Sequence, residues 1–429
     1  MKDQISANGI YDFCKELWPI NRSLTGPGVI ETLELIKSFL PNLKIHSYQS
    51  GAKKFDWIIP DAWKVNEAWI KDEAGNEIIN FNDNNLHLVG YSEPISKIIS
   101  LNELNDHLHS RPDLPDAIPY ITSYYKRYWG FCLSHKQREK LSESFYKIHI
   151  DTELKPGFLN IGELVIPGET SDEFLISTNI CHPSMANNEI SGIAVATWLA
   201  RWLAEQKRKL TYRILYVPET IGSIAYIHDN LNHLKQNTIA GINLVCCGDD
   251  REYSYLPSRN GGTIIDRILK NTFKKNKIKF KEYTWLDRGS DERQYCAPGV
   301  DLPVATFTRS KYAEYPEYHT SLDTLGNVVN KNGLKTSLDF LKEVIDTTER
   351  TYFPKINHLC EPFLLKYNLS DSLGGISLVS SKLRNKSLRD ILTYADGNHS
   401  IEEIAIKIDE RIETVIEGCK LLQENKLIK

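Results

Sequence analysis

The residues able to do chemistry in this chain fall at the ends of apolar runs. After residues 174–178 come Asn179-Ile180-Cys181-His182-Pro183-Ser184, and after 212–217 come Pro218-Glu219-Thr220-Ile221-Gly222-Ser223. After 239–247 come Gly248-Asp249-Asp250, and Trp285 is followed by Arg288-Gly289-Ser290-Asp291-Glu292-Arg293. The run 303–307 leads to His319-Thr320-Ser321-Leu322-Asp323. If these runs are strands of one parallel sheet, their polar tails meet beyond its carboxyl edge, where open α/β sheets bind ligands. Two imidazoles and several carboxylates gathered there form the ligand set of a zinc hydrolase. Neutral histidines and carboxylates hold the ion, and one more carboxylate serves as base for the water.

The elements needed to position these residues are legible in the pattern. Residues 158–166, 174–178, 212–217, 239–247 and 304–307 read as strands. Between them, 190–203, 222–234, 261–273 and 334–348 read as helices. The alternation implies a mostly parallel sheet with helices on both faces. Residues 10–40 are helical in period and are expected to pack on the same sheet. The segment 55–150 has a different texture, rich in Trp, Tyr and Pro. Gly75-Asn76 between short apolar runs marks a β-hairpin, and 86–89 and 120–122 read as further strands. From Leu373 onward the pattern is helix, turn, helix, helix, strand, with Ser400-Ile401-Glu402-Glu403 as a capping box. That is a winged-helix unit. The domain reading is therefore 1–54 with 151–355 as an α/β domain, 55–150 as an inserted β-rich domain, and 356–429 as the winged helix.

In chain order the polar pieces resemble the M28-type zinc aminopeptidases and their M20 relatives. That pattern runs from a histidine ligand through Asp-Asn-x-Ser-Gly, Glu-Glu-x-Gly, a later aspartate and Ser-Asp to His-Thr-x-x-Asp-Thr. Here His182, Asn188-Glu189-Ile190-Ser191-Gly192, Glu219-Thr220-Ile221-Gly222, Asp249, Ser290-Asp291 and His319 through Thr324 stand in that order. The resemblance covers residues 1–55 and 150–350. The whole arrangement looks most like a bacterial group of aminopeptidase-like domain proteins. These carry a β-rich insertion and a C-terminal winged helix, and often accompany surface-polysaccharide genes. The resemblance implies a zinc-exopeptidase-like fold, with His182, Asp249 and His319 as metal ligands. It also implies Glu219 as general base and Asp291 as a residue holding a ligand histidine or the substrate's amine.

Three positions depart from the pattern. Asn188 replaces the aspartate that bridges two zinc ions, Thr220 replaces the second glutamate, and Ser184 replaces an aspartate two residues after the first histidine. An amide cannot bridge two cations with charge, so one zinc is expected rather than two. Each site residue also has a plainer reading: His182 as a turn residue before proline, Glu219 as a helix-start carboxylate, Asp249 in a solvated turn, Asp291 paired with Arg288 or Arg293. Two function classes follow. One is a metal-dependent hydrolase of an amide, either a peptide N-terminus or an N-acylated amino sugar. The other is a catalytically degenerate binding or scaffolding protein.

Arg259, Arg293, Arg309 and Tyr312 flank the proposed ligands and read as substrate-binding residues, with Ser258–Gly262 suited to an anion before a helix. The third C-terminal helix carries Glu413, Glu417 and Glu424 against Arg411 and Lys420, an unfavourable balance for DNA. Packing or homo-oligomerisation is the expected role of that unit. At 429 residues, 41% apolar, with a net charge of −4, the chain gives no sign of a nucleic-acid or membrane partner. The partner expected is a small-molecule or peptide substrate. Eight scattered cysteines without CxxC spacing and no apolar N-terminal core point to a reducing, cytoplasmic setting.

Overall fold

The structure, a computed structural model, describes residues 7–142, 144–370 and 379–429. The readings on Met1–Ile5 and Leu373 lie outside the described residues. The chain divides into two compact units, Met1–Glu343 and Val344–Lys429.

The first unit is built on an eight-stranded sheet. Its order is Lys44–Gln49, Phe158–Ile166, Thr211–Val217, Glu173–Asn179, Thr238–Leu244, Val304–Thr308, Ser254–Leu256 and Lys281–Glu282. The central four strands run parallel, and Phe158–Ile166 and Lys44–Gln49 add antiparallel to one side. Strands Glu173–Asn179 and Thr211–Val217 are buried at every residue, as expected where helices cover a parallel sheet. The chain moves from Glu173–Asn179 to its neighbour on one side, then returns to Thr238–Leu244 on the other. That reversal makes the carboxyl ends of those strands the switch point where such sheets bind ligands.

The N-terminal helical reading resolves into two helices, Ala7–Leu17 and Pro27–Phe39. The break is where Pro27 must sit in the first turn of a helix, because it has no N–H to donate. Phe13 and Phe39 pack at 5.3 and 5.5 Å from the buried Trp198 of helix Ser191–Leu203. These aromatic contacts tie the N-terminal helices to the α/β layer.

Residues 62–155 form a separate four-stranded antiparallel sheet, ordered Glu77–Asn80, Ala62–Lys71, Phe145–Lys155, Ile95–Ser100. The Gly75 turn is present, with Gly75 at φ 89°. Two strand readings fail here. Asn85–His87 is a 3-10 turn capped by the Asn84 side chain. Residues 120–122 make only isolated bridges, because Pro119 and Thr122 pair with single residues, Thr320 and Gly90. A period of two cannot distinguish such bridging from a continuous ladder.

The second unit holds helices Val379–Tyr394, Ile401–Lys407 and Ile412–Glu424 around Ile391, Ile404, Val415 and Leu422. Ser400 and Glu403 form the capping box, and Ile428 bridges Ile356.

Candidate active site

The loop after strand Glu173–Asn179 turns sharply at Ser184, φ 41°, and enters a π turn, Ala186–Ile190, that opens helix Ser191–Leu203. Wide turns of this kind concentrate at functional sites. Asp323 holds this one in place: its carboxylate accepts the N–H of Asn187 at 2.8 Å and of Asn188 at 3.0 Å, with the Tyr315 hydroxyl at 2.9 Å. Gly192 follows because the helix start lies against two strand ends. A Cβ there would meet Thr178 Oγ1 at 2.5 Å and Leu244 O at 2.7 Å. Thr220, Cys246 and His319 are also left-handed, with φ 67°, 53° and 52°. Each costs about 1 kcal/mol outside glycine, and with Ser184 they cluster at one sheet edge.

His182 is buried and doubly anchored. Its Nδ1 lies 2.8 Å from Glu189 Oε2, and its backbone N–H donates to Glu189 Oε1 at 3.1 Å. Arg22, itself buried, donates from Nε to the His182 carbonyl at 2.9 Å. Burial opposes charge on the imidazole, yet the Cys181 and Glu189 beside it raise its pKa well above the ordinary value. With Nδ1 committed, Nε2 is the ring's remaining functional atom, and it faces Glu219 Oε2 at 3.8 Å.

Glu219 follows strand Thr211–Val217, with its backbone N–H on Cys181 Sγ at 3.1 Å. Burial pushes its carboxyl pKa up, offset in part by His182, Ser290 and Arg293. Asp291 is fully buried and accepts at Oδ1 from Thr220 N at 2.8 Å and Ser223 Oγ at 2.6 Å. Burial, then the charge of Glu219, pushes it up to about 8. Arg293 donates to Thr220 Oγ1 at 2.9 Å. Thr220, which cannot ligate as a glutamate would, thus serves as the link between Arg293 and Asp291.

The rings of His182 and His319 lie 5.3 Å apart. His319 is stacked on Tyr318 at 3.9 Å, and its Nε2 meets Asn188 Nδ2 at 3.4 Å. Burial and the neighbouring His182 hold its pKa well below the usual value, so His319 is neutral. Tyr120 presents its ring edge-on to both, at 5.4 Å from His182 and 5.1 Å from His319. A cavity of about 360 Å³ opens on this group, walled by Trp57, Tyr120, Tyr124 and Tyr125 together with His182, Glu219 and His319.

Residues 11–351 match the family described as "Domain of unknown function (DUF4910)", and residues 351–429 match "winged helix-turn-helix". The chain belongs to the DUF4910 family. A relative from Clostridium acetobutylicum is described as "Putative polysaccharide biosynthesis protein with aminopeptidase-like domain". It is 38% identical over 422 residues, covering 98% of this chain and 96% of that protein. The crystal structure of a putative peptidase from the same organism superposes with a TM-score of 0.80 at 36% identity, covering 99% of this chain and 96% of that one. A zinc aminopeptidase from Bacillus subtilis shares the fold, with a TM-score of 0.58 at 14% identity over 80% of this chain and 95% of that one. The fold of this DUF4910 chain is thus that of the M28-type zinc aminopeptidases, with a C-terminal winged helix.

Four sequence-predicted site residues sit in structural roles instead. Asp249 is fully buried. Its oxygens accept from Asn187 Nδ2, Ser310 N, Ser310 Oγ and Arg251 N, all at 2.9–3.0 Å. Those four donors occupy the lone pairs a metal ligand would need. Arg259 is paired with Asp301 and donates to the Cys296 carbonyl at 2.9 Å. The helix beyond it begins at Ile264 with its own Thr263–Asp266 capping box, which removes the anion site. Arg309 donates to the Glu252 carbonyl and Thr336 and stacks 3.6 Å over Tyr253. Tyr312 donates to Glu292 at 3.0 Å. Arg293 is the arginine brought to the Glu219–Thr220 loop.

Three contributors were missed. Glu189 lay inside a recognised motif, but nothing local tells which side chain reaches His182. Asp323 was in view without a role. Tyr120 comes from a remote segment whose backbone N–H reaches the His319 carbonyl at 2.8 Å, a contact with no local signal.

Proposed function

We propose that this chain is a cytoplasmic, zinc-dependent hydrolase that cleaves an amide in a small substrate, a peptide N-terminus or an N-acylated amino sugar of a surface-polysaccharide pathway. The observation that carries the reading is the placement of Glu219 Oε2 3.8 Å from His182 Nε2, beside a second, neutral imidazole. The donor set fits one ion. His182 and His319 each offer Nε2, and Asn188, whose Nδ2 meets His319, can add a third, uncharged ligand only through its Oδ1. The Asn188 and Thr220 replacements leave no anionic bridge for a second ion. Bound there, zinc supplies Lewis-acid polarisation of the amide carbonyl and of the attacking water.

The protein's own groups do the rest. Glu189 fixes the His182 ring and its tautomer, as carboxylates behind ligand histidines do. Glu219 takes the proton of the attacking water and delivers it to the leaving nitrogen. Its raised pKa supports that second step. Asp291 and Arg293 hold the Thr220 loop, and so the position of Glu219. The aromatic walls exclude water and offer faces to a sugar ring or an apolar side chain. The winged helix serves packing or homo-oligomerisation.

A non-catalytic binding protein is the second reading, motivated by the uncharged Asn188 and Thr220. The deciding experiment is amide hydrolysis over aminoacyl and N-acyl amino-sugar substrates, using zinc-loaded wild type beside Glu219→Gln. Activity lost in the variant supports the hydrolase. A zinc-loaded wild type inactive on every substrate supports the binding protein.

A further inference from the structure

A second cavity, about 460 Å³, adjoins the first. Its lining includes His109, Ser110, Arg111 and Arg138, together with Tyr120 and His319. The last two also line the first cavity, so the cavities share that wall. No Asp or Glu is among the lining residues of the second.

The guanidinium groups there differ in how they are neutralised. Arg138 is half-buried, and its hydrogen bonds go to neutral oxygens: Leu108 O at 3.0 Å, Asn105 O at 3.3 Å and Asn105 Oδ1 at 3.1 Å. Arg111 pairs with Asp113 at 2.5 Å, with side chains 37% and 65% exposed. An exposed pair of this kind is weak, and an incoming anion competes for it. His109 is held below its usual pKa by burial and then by Arg138, and its Nε2 meets the Tyr128 hydroxyl at 2.9 Å.

We propose that this second cavity binds an anionic group of the ligand, a phosphate or a carboxylate, against Arg138 and Arg111. The second cavity holds two guanidiniums and no lining carboxylate, whereas Glu219 lines the first. An anion in the second cavity forms charge-assisted hydrogen bonds with those guanidiniums. A ligand carrying both an amide and an anion is thereby oriented, amide toward His182 and anion toward Arg138. That orientation rests on the proposed hydrolase reading, whereas the anion site itself does not.

The test is calorimetric binding to the full chain in a Glu219→Gln background, so that turnover does not consume the probe. Two probe pairs are used: N-acetylglucosamine 1-phosphate against N-acetylglucosamine, and alanyl-alanine against its C-terminal amide. In at least one pair the anionic member is expected to bind ~10-fold tighter, a difference of about 1.4 kcal/mol. The pair that shows the gap identifies the anion as phosphate or carboxylate. Arg138→Gln is expected to close the gap while leaving the neutral probe's affinity unchanged. Arg111→Ala removes only an exposed pair and should narrow it in a fully folded protein, which keeps the test valid if Arg138→Gln fails to fold. No gap in either pair, no binding at millimolar concentration, or a gap left intact by the substitutions overturns the proposal. An inactive wild type would remove the hydrolase reading and leave this binding test standing.

Discussion

His182 Nδ1 and Glu189 Oε2 are 2.8 Å apart, with both side chains almost completely shielded from solvent. The pattern that this chain resembles has an aspartate where Ser184 stands, and here it is Glu189 that restrains the ring. Glu189 lies in the π turn Ala186–Ile190 that follows the His182 loop.

Removing that restraint should weaken metal binding without removing a ligand. Glu189→Gln is expected to lower zinc affinity by ~10–100-fold, the usual effect of losing such a partner, while His182→Ala abolishes it. Competition with a chromophoric chelator measures both. Equal affinity in wild type and Glu189→Gln would show that the contact is only structural.

Glu219→Gln should leave zinc content unchanged and reduce amide hydrolysis by ~10²-fold or more, the usual worth of a general base. Elemental analysis and steady-state rates on the same preparations separate the two effects. A variant that kept its rate would assign the base elsewhere.

Asp249→Ala should act on the fold and not on the metal. It strands the buried donors of Asn187 and Ser310, at a cost of about 3 kcal/mol or more. Chemical denaturation should show the loss while zinc per folded chain stays at the wild-type value. Zinc lost from a fully folded variant would restore Asp249 as a ligand.

Asp291 makes the protein less stable as pH rises. Its carboxyl ionises near 3.8 when unperturbed and at about 8 in the folded protein, so the folded state holds the proton more tightly. Its contribution is most favourable below the lower value, declines as pH climbs between the two, and is least favourable above the upper one. In chelator-treated protein, Asp291→Asn should therefore raise Tm over wild type by a margin that widens from about pH 5 to about pH 8. The same change should lower activity, because the Glu219–Asp291 pair is altered. A margin independent of pH would show that Asp291 does not titrate in this range.

The strands that carry His182, Glu219 and His319 were legible because a buried parallel strand is a continuous apolar run, and its polar tail marks the carboxyl edge. The helix that follows Asn188-Glu189-Ile190-Ser191-Gly192 was legible from its apolar face. The strand readings at 86–89 and 120–122 failed for a shared reason: short apolar stretches that make only isolated bridges look like strand when only residue type is visible.

The sequence by itself determined the sheet, the order of the polar loops along its edge, the winged helix and the presence of two histidines at that edge, since these follow from local periodicity and chain order. Tertiary structure alone decided which carboxylate serves which histidine. Asp249 and Glu189 are both acidic residues in loops at that edge, yet one is saturated by Asn187, Ser310 and Arg251 and the other is turned onto His182. It also decided that Tyr120 closes the site from a distant segment. A carboxylate's role is set by the donors it meets, and those donors come from parts of the chain that only folding brings together.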